Sequence, residues 1–337
     1  MADRSVTVFG GAGFIGRYLV KRLAEKGDQV RVAVRNPDRA SFLKPMGEVG
    51  QIVPVQANIR DDRSVAAAVA GADAVVNLVG ILYERGRQTF DAVHRDGAAR
   101  TARAAAEAGA TRFVQMSALG ASARSPSAYA RSKAAGEAAA TEVFPGAAIV
   151  RPSIVFGPED DFFNRFAALA RLMPVLPVFG AWPPRLKLAG AGGPRIQPFG
   201  TGGTRFQPVY VGDVAEAFSR ILDDPATAGR TYELGGPRVY SFKELMDLML
   251  AEIGRRRLLL PLPFWVAELQ AAVLQWLPVP PLTPDQVKLL RRDNVVGRKA
   301  LKLEDLGITP TAVEVVVPTY LDRYRPGARF RGPGGGR

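Results

Sequence analysis

The stretch that decides the fold is Val6-Thr-Val-Phe9, followed at once by Gly10-Gly-Ala-Gly13-Phe-Ile-Gly16. A short β-branched strand pattern runs into glycines spaced GxxGxxG, and a helical pattern comes next. Glycines at such positions permit a tight turn, let a pyrophosphate approach the backbone, and let the helix pack close to the strand. The helix N-terminus then offers N–H groups to phosphate oxygens. The stretch predicts a dinucleotide site, with a plain glycine turn as the alternative.

Outward from this turn, short apolar runs alternate with alanine-rich helical stretches. The predicted strands are Ser5–Phe9, Gln29–Val34, Gln51–Gln56, Ala74–Leu78, Arg112–Met116 and Ala147–Val150. The predicted helices are Ile15–Glu25, Ser64–Ala70, Arg95–Ala108 and Tyr129–Thr141. Strands that are apolar throughout and alternate with helices indicate a parallel sheet covered on both faces. We therefore expect an α/β protein with a Rossmann-type doubly wound sheet and a smaller C-terminal α/β lobe.

The second half of the chain has a looser pattern. Gly180–Gly200 contains five glycines and four prolines, which predicts a long loop. The elements predicted after it are the strand Phe206–Val211, the helix Val214–Leu222, the strand Thr231–Leu234, and the helix Ser241–Ile253 with a capping box of Ser241 and Glu244. Leu258–Leu277 is the most apolar stretch, but its prolines and polar residues argue against a membrane span. It predicts a proline-led amphipathic helix that packs on protein or on a bilayer surface.

These patterns suggest the domain boundaries. We expect a dinucleotide-binding domain over 1–156, completed by elements within about 201–236. A second lobe is expected over 157–200 and 237–325, and the Gly/Arg/Pro-rich tail 326–337 is expected to be disordered.

Composition excludes several chemistries. The chain has no cysteine, so disulfides, thiolate metal sites and a catalytic thiol are absent, and a single histidine argues against a metal site or a Ser-His-Asp triad. Redox chemistry here would need an organic cofactor. The net charge of +13 favours an anionic partner, or it reflects a genome that uses arginine freely. No signal or transit segment is recognisable, so we expect a bacterial cytoplasmic or cytoplasm-facing protein.

The end of the second strand bears on the choice between NAD and NADP. NAD sites place a carboxylate there to bind the ribose 2′-hydroxyl, whereas this chain has Arg35 followed by Asn36. Arg35 could pair with a 2′-phosphate, and Arg17 could reach the same region or be a solvated helix charge. NADP(H) is the favoured cofactor.

A second motif suggests catalysis. Tyr129-Ala-Arg-Ser-Lys133 is YxxxK, which places tyrosine and lysine on one face of a helix. A nearby ammonium would lower the pKa of the tyrosine and make it a general acid/base. Ser117, at the end of the preceding strand, could hydrogen-bond a substrate oxygen.

Together these motifs resemble the extended short-chain dehydrogenase/reductase superfamily. Further points of resemblance are Phe90-Asp-Ala-Val-His-Arg-Asp-Gly97, in which His94 replaces the usual asparagine, Asn58 with Ile59, Arg151-Pro-Ser-Ile-Val-Phe-Gly-Pro158 and Val209-Tyr-Val-Gly-Asp-Val214. The resemblance implies contacts with NADP(H) from Gly10, Gly13, Phe14, Ile15, Gly16, Arg17, Arg35, Asn58, Ile59, Leu78, Val79, Gly80, Ser117, Tyr129, Lys133, Pro152 and Ile154. Ser117, Tyr129 and Lys133 would be the catalytic residues, active or vestigial.

Within this superfamily the chain is most similar to the reductase-like accessory subunits of respiratory complex I (NADH:ubiquinone oxidoreductase). The shared segments are Phe42–Gln51, Asn77–Gly80, Arg131–Glu137, Phe156–Asn164, Gln207–Asp213 and Leu303–Ile308. This resemblance implies a subunit that holds NADPH for structure beside the quinone-site arm.

The partners implied are other complex I subunits and an anionic membrane surface, at the cytoplasmic side of a bacterial inner membrane, with neither metal nor nucleic acid. A free NADP-dependent reductase, epimerase or dehydratase is the alternative. Nucleic-acid binding is disfavoured because the chain has neither a basic recognition helix nor an aromatic platform.

Overall fold

A computed structural model describes residues 4–181, 185–187, 195–197 and 199–327. The strands in this part of the chain are β1 (Ser5–Phe9), β2 (Gln29–Val34), β3 (Ile52–Gln56), β4 (Ala74–Asn77), β5 (Arg112–Met116), β6 (Ala148–Pro152), β7 (Val155–Phe156), β8 (Val175–Phe179), β9 (Arg185–Lys187), β10 (Arg195–Gln197), β11 (Arg205–Phe206), β12 (Val209–Tyr210), β13 (Thr231–Leu234), β14 (Tyr240–Ser241) and β15 (Leu258–Leu262). The α-helices are α1 (Phe14–Glu25), α2 (Asp62–Val69), α3 (Asp96–Glu107), α4 (Ala128–Val143), α5 (Phe163–Leu172), α6 (Val211–Asp223), α7 (Phe242–Glu252), α8 (Phe264–Leu274), α9 (Pro284–Leu290), α10 (Val313–Val316) and α11 (Pro318–Leu321). A π-helical turn, Asp91–Arg95, leads into α3, and short 3₁₀ segments span Pro37–Met46, Pro225–Thr227, Glu304–Leu306 and Asp322–Tyr324.

The first of two compact units comprises residues 1–152, 211–235 and 296–310. Its strands form a seven-stranded sheet in the order β13-β6-β5-β4-β1-β2-β3, and all neighbouring pairs are parallel. The chain therefore winds outward in both directions from β1. The predicted Rossmann-type doubly wound sheet is confirmed. In such sheets ligands bind beyond the carboxyl ends of the strands at the switch point, which here lies between β1 and β4.

The strands at the switch point are apolar because helices cover both faces of the sheet. Val6 and Val8 of β1 are fully buried, and so are the side chains of β4, of which only Asn77 is exposed at all, to 1%. Thr7, also buried, donates its hydroxyl to the Ala68 carbonyl at 2.9 Å, so its polar group is satisfied. Burial on both faces fixes the sheet rigidly beneath the glycine turn.

The second unit comprises residues 153–210, 236–295 and 311–337. Its strands form four short pairs: β7 with β12 and β8 with β15 are parallel, while β9 with β10 and β11 with β14 are antiparallel. Its core is aromatic, with Phe242 in edge-to-face contact with Phe162, Phe166 and Phe179. The predicted capping box is present at α7, where the side chains of Ser241 and Glu244 each accept from the other's backbone N–H.

Three predictions about this half are wrong in part. Phe206–Val211 is two short strands with different partners, because Pro208 cannot donate to a continuous ladder, and Val211 already begins α6. Leu258–Leu262 is a strand, β15, since it pairs with β8, and only the part after Pro263 is helical. The predicted loop 180–200 contains the β9–β10 pair, and residues 182–184, 188–194 and 198 of this range lie outside the described ones.

The chain divides differently from the predicted boundaries: residues 153–156 group with the second unit, and within 201–236 only residues 211–235 group with the first. Residues 296–310 group with the first unit because Leu301 bridges to Tyr232 and Glu233 on β13. The predicted disordered tail lies outside the described residues from position 328 onward. In the part of the chain described, no helix combines the length and the hydropathy that a membrane crossing requires.

Candidate functional site

The glycine turn leaves β1 at the switch point of the sheet. Gly10 has a φ of +78°, a conformation that favours glycine, and its carbonyl accepts the N–H of Gly13 at 2.9 Å. A Cβ on Gly16 would lie 2.6 Å from the Gly11 Cα and closer still to the Gly10 carbonyl oxygen. Gly16 is therefore required for α1 to pack against the turn. At Gly13 a Cβ would meet only the Gly10 carbonyl oxygen within 4 Å, at 3.1 Å, so the space in front of this residue is open.

Helix α1 begins directly after the turn, with Gly13 as its N-cap residue. The first turn contains no acidic side chain, and the Arg17 N–H makes the first backbone bond of the helix, to the Gly13 carbonyl at 3.1 Å. The N–H groups ahead of it, including those of Phe14 and Ile15, precede the intrahelical ladder. Together with the helix dipole they form a ready site for an anion such as a pyrophosphate.

Arg35 and Arg17 lie beside the second strand. Arg35 comes immediately after β2, is exposed, and donates from Nη1 to the Gln88 side-chain oxygen at 3.2 Å. The Arg17 guanidinium stacks 5.2 Å from the centre of the Phe42 ring, in the segment that follows β2. Arg35 thus lies at the end of β2, and Arg17 contacts the segment that follows this strand.

The segment after β4 lies next to the turn. Leu78 donates its N–H to the Phe9 carbonyl at 3.0 Å, and a Cβ on Gly10 would be 3.4 Å from Val79. The predicted cofactor residues Leu78, Val79 and Gly80 are thus brought beside the glycine turn by the pairing of β4 with β1.

Asn58 and Ile59 follow β3, and both make contacts with other residues of the first unit. The Asn58 side-chain oxygen accepts the Arg60 N–H at 3.1 Å. Ile59 is buried against Gly97, where a Cβ would come within 2.9 Å of its side chain. The glycine of the F-x-x-V-x-x-x-G motif is therefore explained by this contact.

Ser117, Tyr129 and Lys133 lie in the first unit on two neighbouring elements. Ser117 follows β5 and is buried, and within the described residues its hydroxyl oxygen has no hydrogen-bond partner. Tyr129 lies in the first turn of α4, and Lys133, one turn later, is buried with Nζ 5.8 Å from the centre of the tyrosine ring. The Lys133 ammonium also lies beside Gly80, so it joins the α4 face to the segment after β4.

The expected lowering of the tyrosine pKa is wrong. Burial raises the pKa of Tyr129 to about 12, and the effect of burial outweighs any attraction to Lys133. Burial also lowers the pKa of Lys133 to about 8, against an opposing attraction to Glu137. The tyrosine is therefore protonated at neutral pH and is equipped to donate a proton rather than to accept one.

His94 makes hydrogen bonds that connect two elements and that the sequence did not reveal. It lies buried in the π-helical turn, where Nε2 accepts the Ile81 N–H at 3.0 Å and Nδ1 lies 2.8 Å from the Ser132 hydroxyl. Since Nε2 accepts, the ring proton is on Nδ1 and is donated to Ser132, which donates to the Tyr129 carbonyl at 2.8 Å. The imidazole thus ties the segment after β4 to helix α4. The sequence offered one signal for this role: the only histidine of the chain stands where the motif Phe90–Gly97 usually has asparagine.

The imidazole is held in its neutral form. Its ring stacks on Phe90 with centres 5.5 Å apart and meets Tyr129 edge-on at 5.4 Å. Burial, with a smaller contribution from Lys133, lowers the pKa of His94 to about 3. A neutral ring is needed because only that form accepts the Ile81 N–H.

The last predicted cofactor residues lie on either side of the boundary between the units. Pro152 ends β6, and its carbonyl accepts the Leu119 N–H at 3.0 Å. Ile154 belongs to the second unit, and its N–H is donated to the Asn294 side chain at 3.1 Å. The preceding Arg151 pairs with Glu137 of α4, Nε to Oε1 at 2.8 Å, so the arginine of the R-P motif has a structural role.

A doubly wound parallel sheet with a glycine turn at its switch point is the architecture of dinucleotide-binding proteins. The profile of the NAD dependent epimerase/dehydratase family matches residues 6–235, and the chain belongs to this family.

Two named relatives and one solved structure are similar to this chain over most of its length. The chain is 37% identical over 333 residues to the mitochondrial NADH dehydrogenase (ubiquinone) 1 alpha subcomplex subunit 9 of Arabidopsis thaliana, covering 95% of this chain and 78% of that one. It is 30% identical to the mitochondrial NADH-ubiquinone oxidoreductase 40 kDa subunit of Neurospora crassa, covering 98% and 82%. Among solved structures, the NADPH complex of the quinone oxidoreductase QOR2 from Escherichia coli superposes with a TM-score of 0.70 at 19% identity, covering 94% of this chain and 99% of that one. The last likeness shows a shared fold.

Proposed function

We propose that this protein is an accessory subunit of respiratory complex I that binds NADPH for structure and stabilises the quinone-site arm at the membrane. The observation that carries the proposal is the similarity to complex I subunits from a plant and a fungus, which extends over nearly the whole chain. Similarity confined to the dinucleotide domain would support only a shared cofactor. Here it includes the second unit, where a subunit could meet partners.

The cofactor of this proposal is NADP(H). Arg35 at the end of β2 supports it, since its exposed guanidinium could pair with a 2′-phosphate and the strand end carries no carboxylate for a ribose hydroxyl. The Escherichia coli protein of the same fold is complexed with NADPH. The glycine turn, the start of α1 and the segment Leu78–Gly80 would hold the pyrophosphate and riboses.

The proposed location is the cytoplasmic side of a bacterial inner membrane, in peripheral contact with it. The relatives are named as subunits of NADH:ubiquinone oxidoreductases. The net charge of +13 supports attraction to an anionic membrane surface, to which each basic residue nearby adds roughly 1 kcal/mol.

Blue-native electrophoresis of membranes tests the proposal. The native protein should migrate with the NADH dehydrogenase activity, and nucleotide released by acid from the purified protein should be NADPH at nearly one per chain. Migration as a free dimer, or purification without nucleotide, would contradict it. NADH-staining of the same gel lane serves as the internal control.

The second candidate is a free NADP-dependent reductase, epimerase or dehydratase. It is favoured by the buried Ser117 hydroxyl, which has no partner in the described part of the chain, and by Tyr129 and Lys133 one turn apart on α4. A carbonyl oxygen could accept from both hydroxyls. Sustained NADPH oxidation with a defined ketone or sugar nucleotide, lost in Tyr129→Phe, would establish this function and refute a purely structural site.

A further inference from the structure

Helix α8 of the second unit presents an unusual surface. On its inward side Ala267 and Ala271 are fully buried in the aromatic core, and Phe264 and Val266 pack against that core. Its outward side is apolar as well: Trp265, Leu269 and Val273 are 67%, 65% and 69% exposed. These three recur every fourth residue, so they form one stripe along the helix.

The stripe continues past the end of the helix. Trp276 is 85% exposed and follows in the turn after the helix, where its N–H is donated to the Val273 carbonyl, and Leu277 and Val279 are exposed after it. The two indoles are eleven positions apart, which is about 16 Å along a helix. A contiguous exposed apolar surface of this kind marks a contact with a partner or with a membrane. We call Trp265, Leu269, Val273 and Trp276 the α8 face.

The charges around the α8 face indicate what it contacts. Residues 255–292 contain six basic and two acidic side chains. Glu268, the carboxylate within α8, is paired with Arg291 at 2.8 Å, so its charge is compensated. Arg255, Arg256 and Arg257 directly precede β15, which leads into α8. An apolar stripe in a segment with an excess of basic side chains is complementary to a surface that is apolar inside and anionic at its rim.

We propose that the α8 face is seated on the surface of an anionic phospholipid bilayer, with the helix lying parallel to the membrane plane. Indoles favour the headgroup level, where one side of the ring is apolar and the other is wet, and leucine and valine reach the acyl boundary. The flanking arginines would meet the lipid phosphates. The proposal rests on the proposed membrane location and specifies the surface that provides it.

A second copy of the chain is a poorer occupant. In a symmetric dimer the same patch meets itself, so two segments of net positive charge would be brought together. A protein partner with an acidic rim is the remaining competitor, and the experiment below separates it from lipid.

Vesicle binding by the full-length, NADPH-loaded protein tests the α8 face. The chain has three tryptophans, and a Trp182→Phe background leaves only the two indoles of the face to report. With phosphatidylcholine vesicles that contain phosphatidylglycerol, we expect the emission to shift to shorter wavelength and to be quenched by brominated acyl chains. The protein should bind vesicles of phosphatidylcholine alone at least about tenfold more weakly than the anionic vesicles.

Matched variants locate the contact. Trp265→Ser combined with Trp276→Ser should reduce co-sedimentation with the anionic vesicles by at least about tenfold. Val315→Ser removes an apolar side chain that is equally exposed, at 66%, on helix α10, and should leave it unchanged. Arg256→Glu should weaken binding to the anionic vesicles, whereas Arg103→Glu on α3 should not. Unchanged thermal unfolding of each variant shows that it is folded.

The outcomes separate this proposal from the proposed function. If the wild-type protein migrates with the NADH dehydrogenase but does not bind the anionic vesicles, the lipid contact is refuted and the accessory-subunit function stands. If the double tryptophan variant binds vesicles normally but leaves the complex, the face contacts a protein partner and the proposal is also refuted. Binding that depends on the α8 face in a protein that never joins the complex supports the surface and contradicts the function.

Discussion

Replacing Gly13 by alanine should remove NADP(H) binding while leaving the cofactor-free protein nearly as stable as the parent. Gly13 has a φ of −74°, which alanine adopts without strain, and the added methyl would meet a single atom, the Gly10 carbonyl oxygen at 3.1 Å. The rest of the space in front of Gly13 is open, and it is the space that the pyrophosphate would occupy at the start of α1. The methyl therefore excludes the ligand and spares the fold.

The expected magnitudes differ strongly between the two states. Alanine is a poorer N-cap residue than glycine, but it also reduces the entropy of the unfolded chain, and the two effects should cancel to within about 1 kcal/mol. A ligand present at a hundred times its dissociation constant stabilises a protein by about 2.7 kcal/mol. For a chain of 337 residues that corresponds to a rise of roughly 4 °C in Tm. The variant should lose this rise.

Thermal unfolding of nucleotide-stripped protein with and without added NADPH measures both quantities. Gly16→Ala is the matched contrast, because its methyl would clash with the Gly10 carbonyl and with the Gly11 Cα at 2.6 Å. That clash should cost about 1–3 kcal/mol in the cofactor-free protein itself. If Gly13→Ala keeps the full NADPH-dependent rise in Tm, the turn is not the pyrophosphate site and the reasoning fails.

Three further predictions concern the cofactor specificity at Arg35 and the roles of His94 and Tyr129. Arg35→Ala should weaken binding of NADPH by about tenfold or more and leave binding of NADH unchanged, as measured by fluorescence titration; equal losses for both would refute the 2′-phosphate contact. The pKa of His94 is about 3 when folded and about 6.5 when unfolded, so the unfolded state takes up a proton between these values and stability is lost as pH falls through that window. His94→Gln should abolish this part of the loss in the free energy of unfolding, which is up to about 1.4 kcal/mol per pH unit and is measured by urea unfolding. Because His94 is the only histidine of the chain, no other histidine can mask the difference. Tyr129→Phe should change neither the NADPH content nor co-migration with complex I; a loss of either would show that the hydroxyl is used.

The sequence by itself determined the sheet. Ser5–Phe9, Gln29–Val34, Arg112–Met116 and Thr231–Leu234 form strands with the predicted bounds. Each is a short run rich in apolar or β-branched residues and is followed by glycine or a polar residue, so local pattern and tertiary environment agree. The glycine turn and the capping box of α7 were readable for the same reason, since each depends on residues adjacent in the chain.

Only the tertiary structure decided the properties that depend on distant neighbours. Leu258–Leu262 became a strand because β8 lies beside it, a partner more than 75 positions away that no local pattern reveals. The pKa of Tyr129 rose instead of falling because burial of its hydroxyl outweighs the lysine one turn along the same helix. His94 became an anchor because two elements that are separate in sequence, the segment after β4 and helix α4, converge on one imidazole. Desolvation and convergent hydrogen bonds are set by the packing of the whole chain, and residue spacing alone does not determine them.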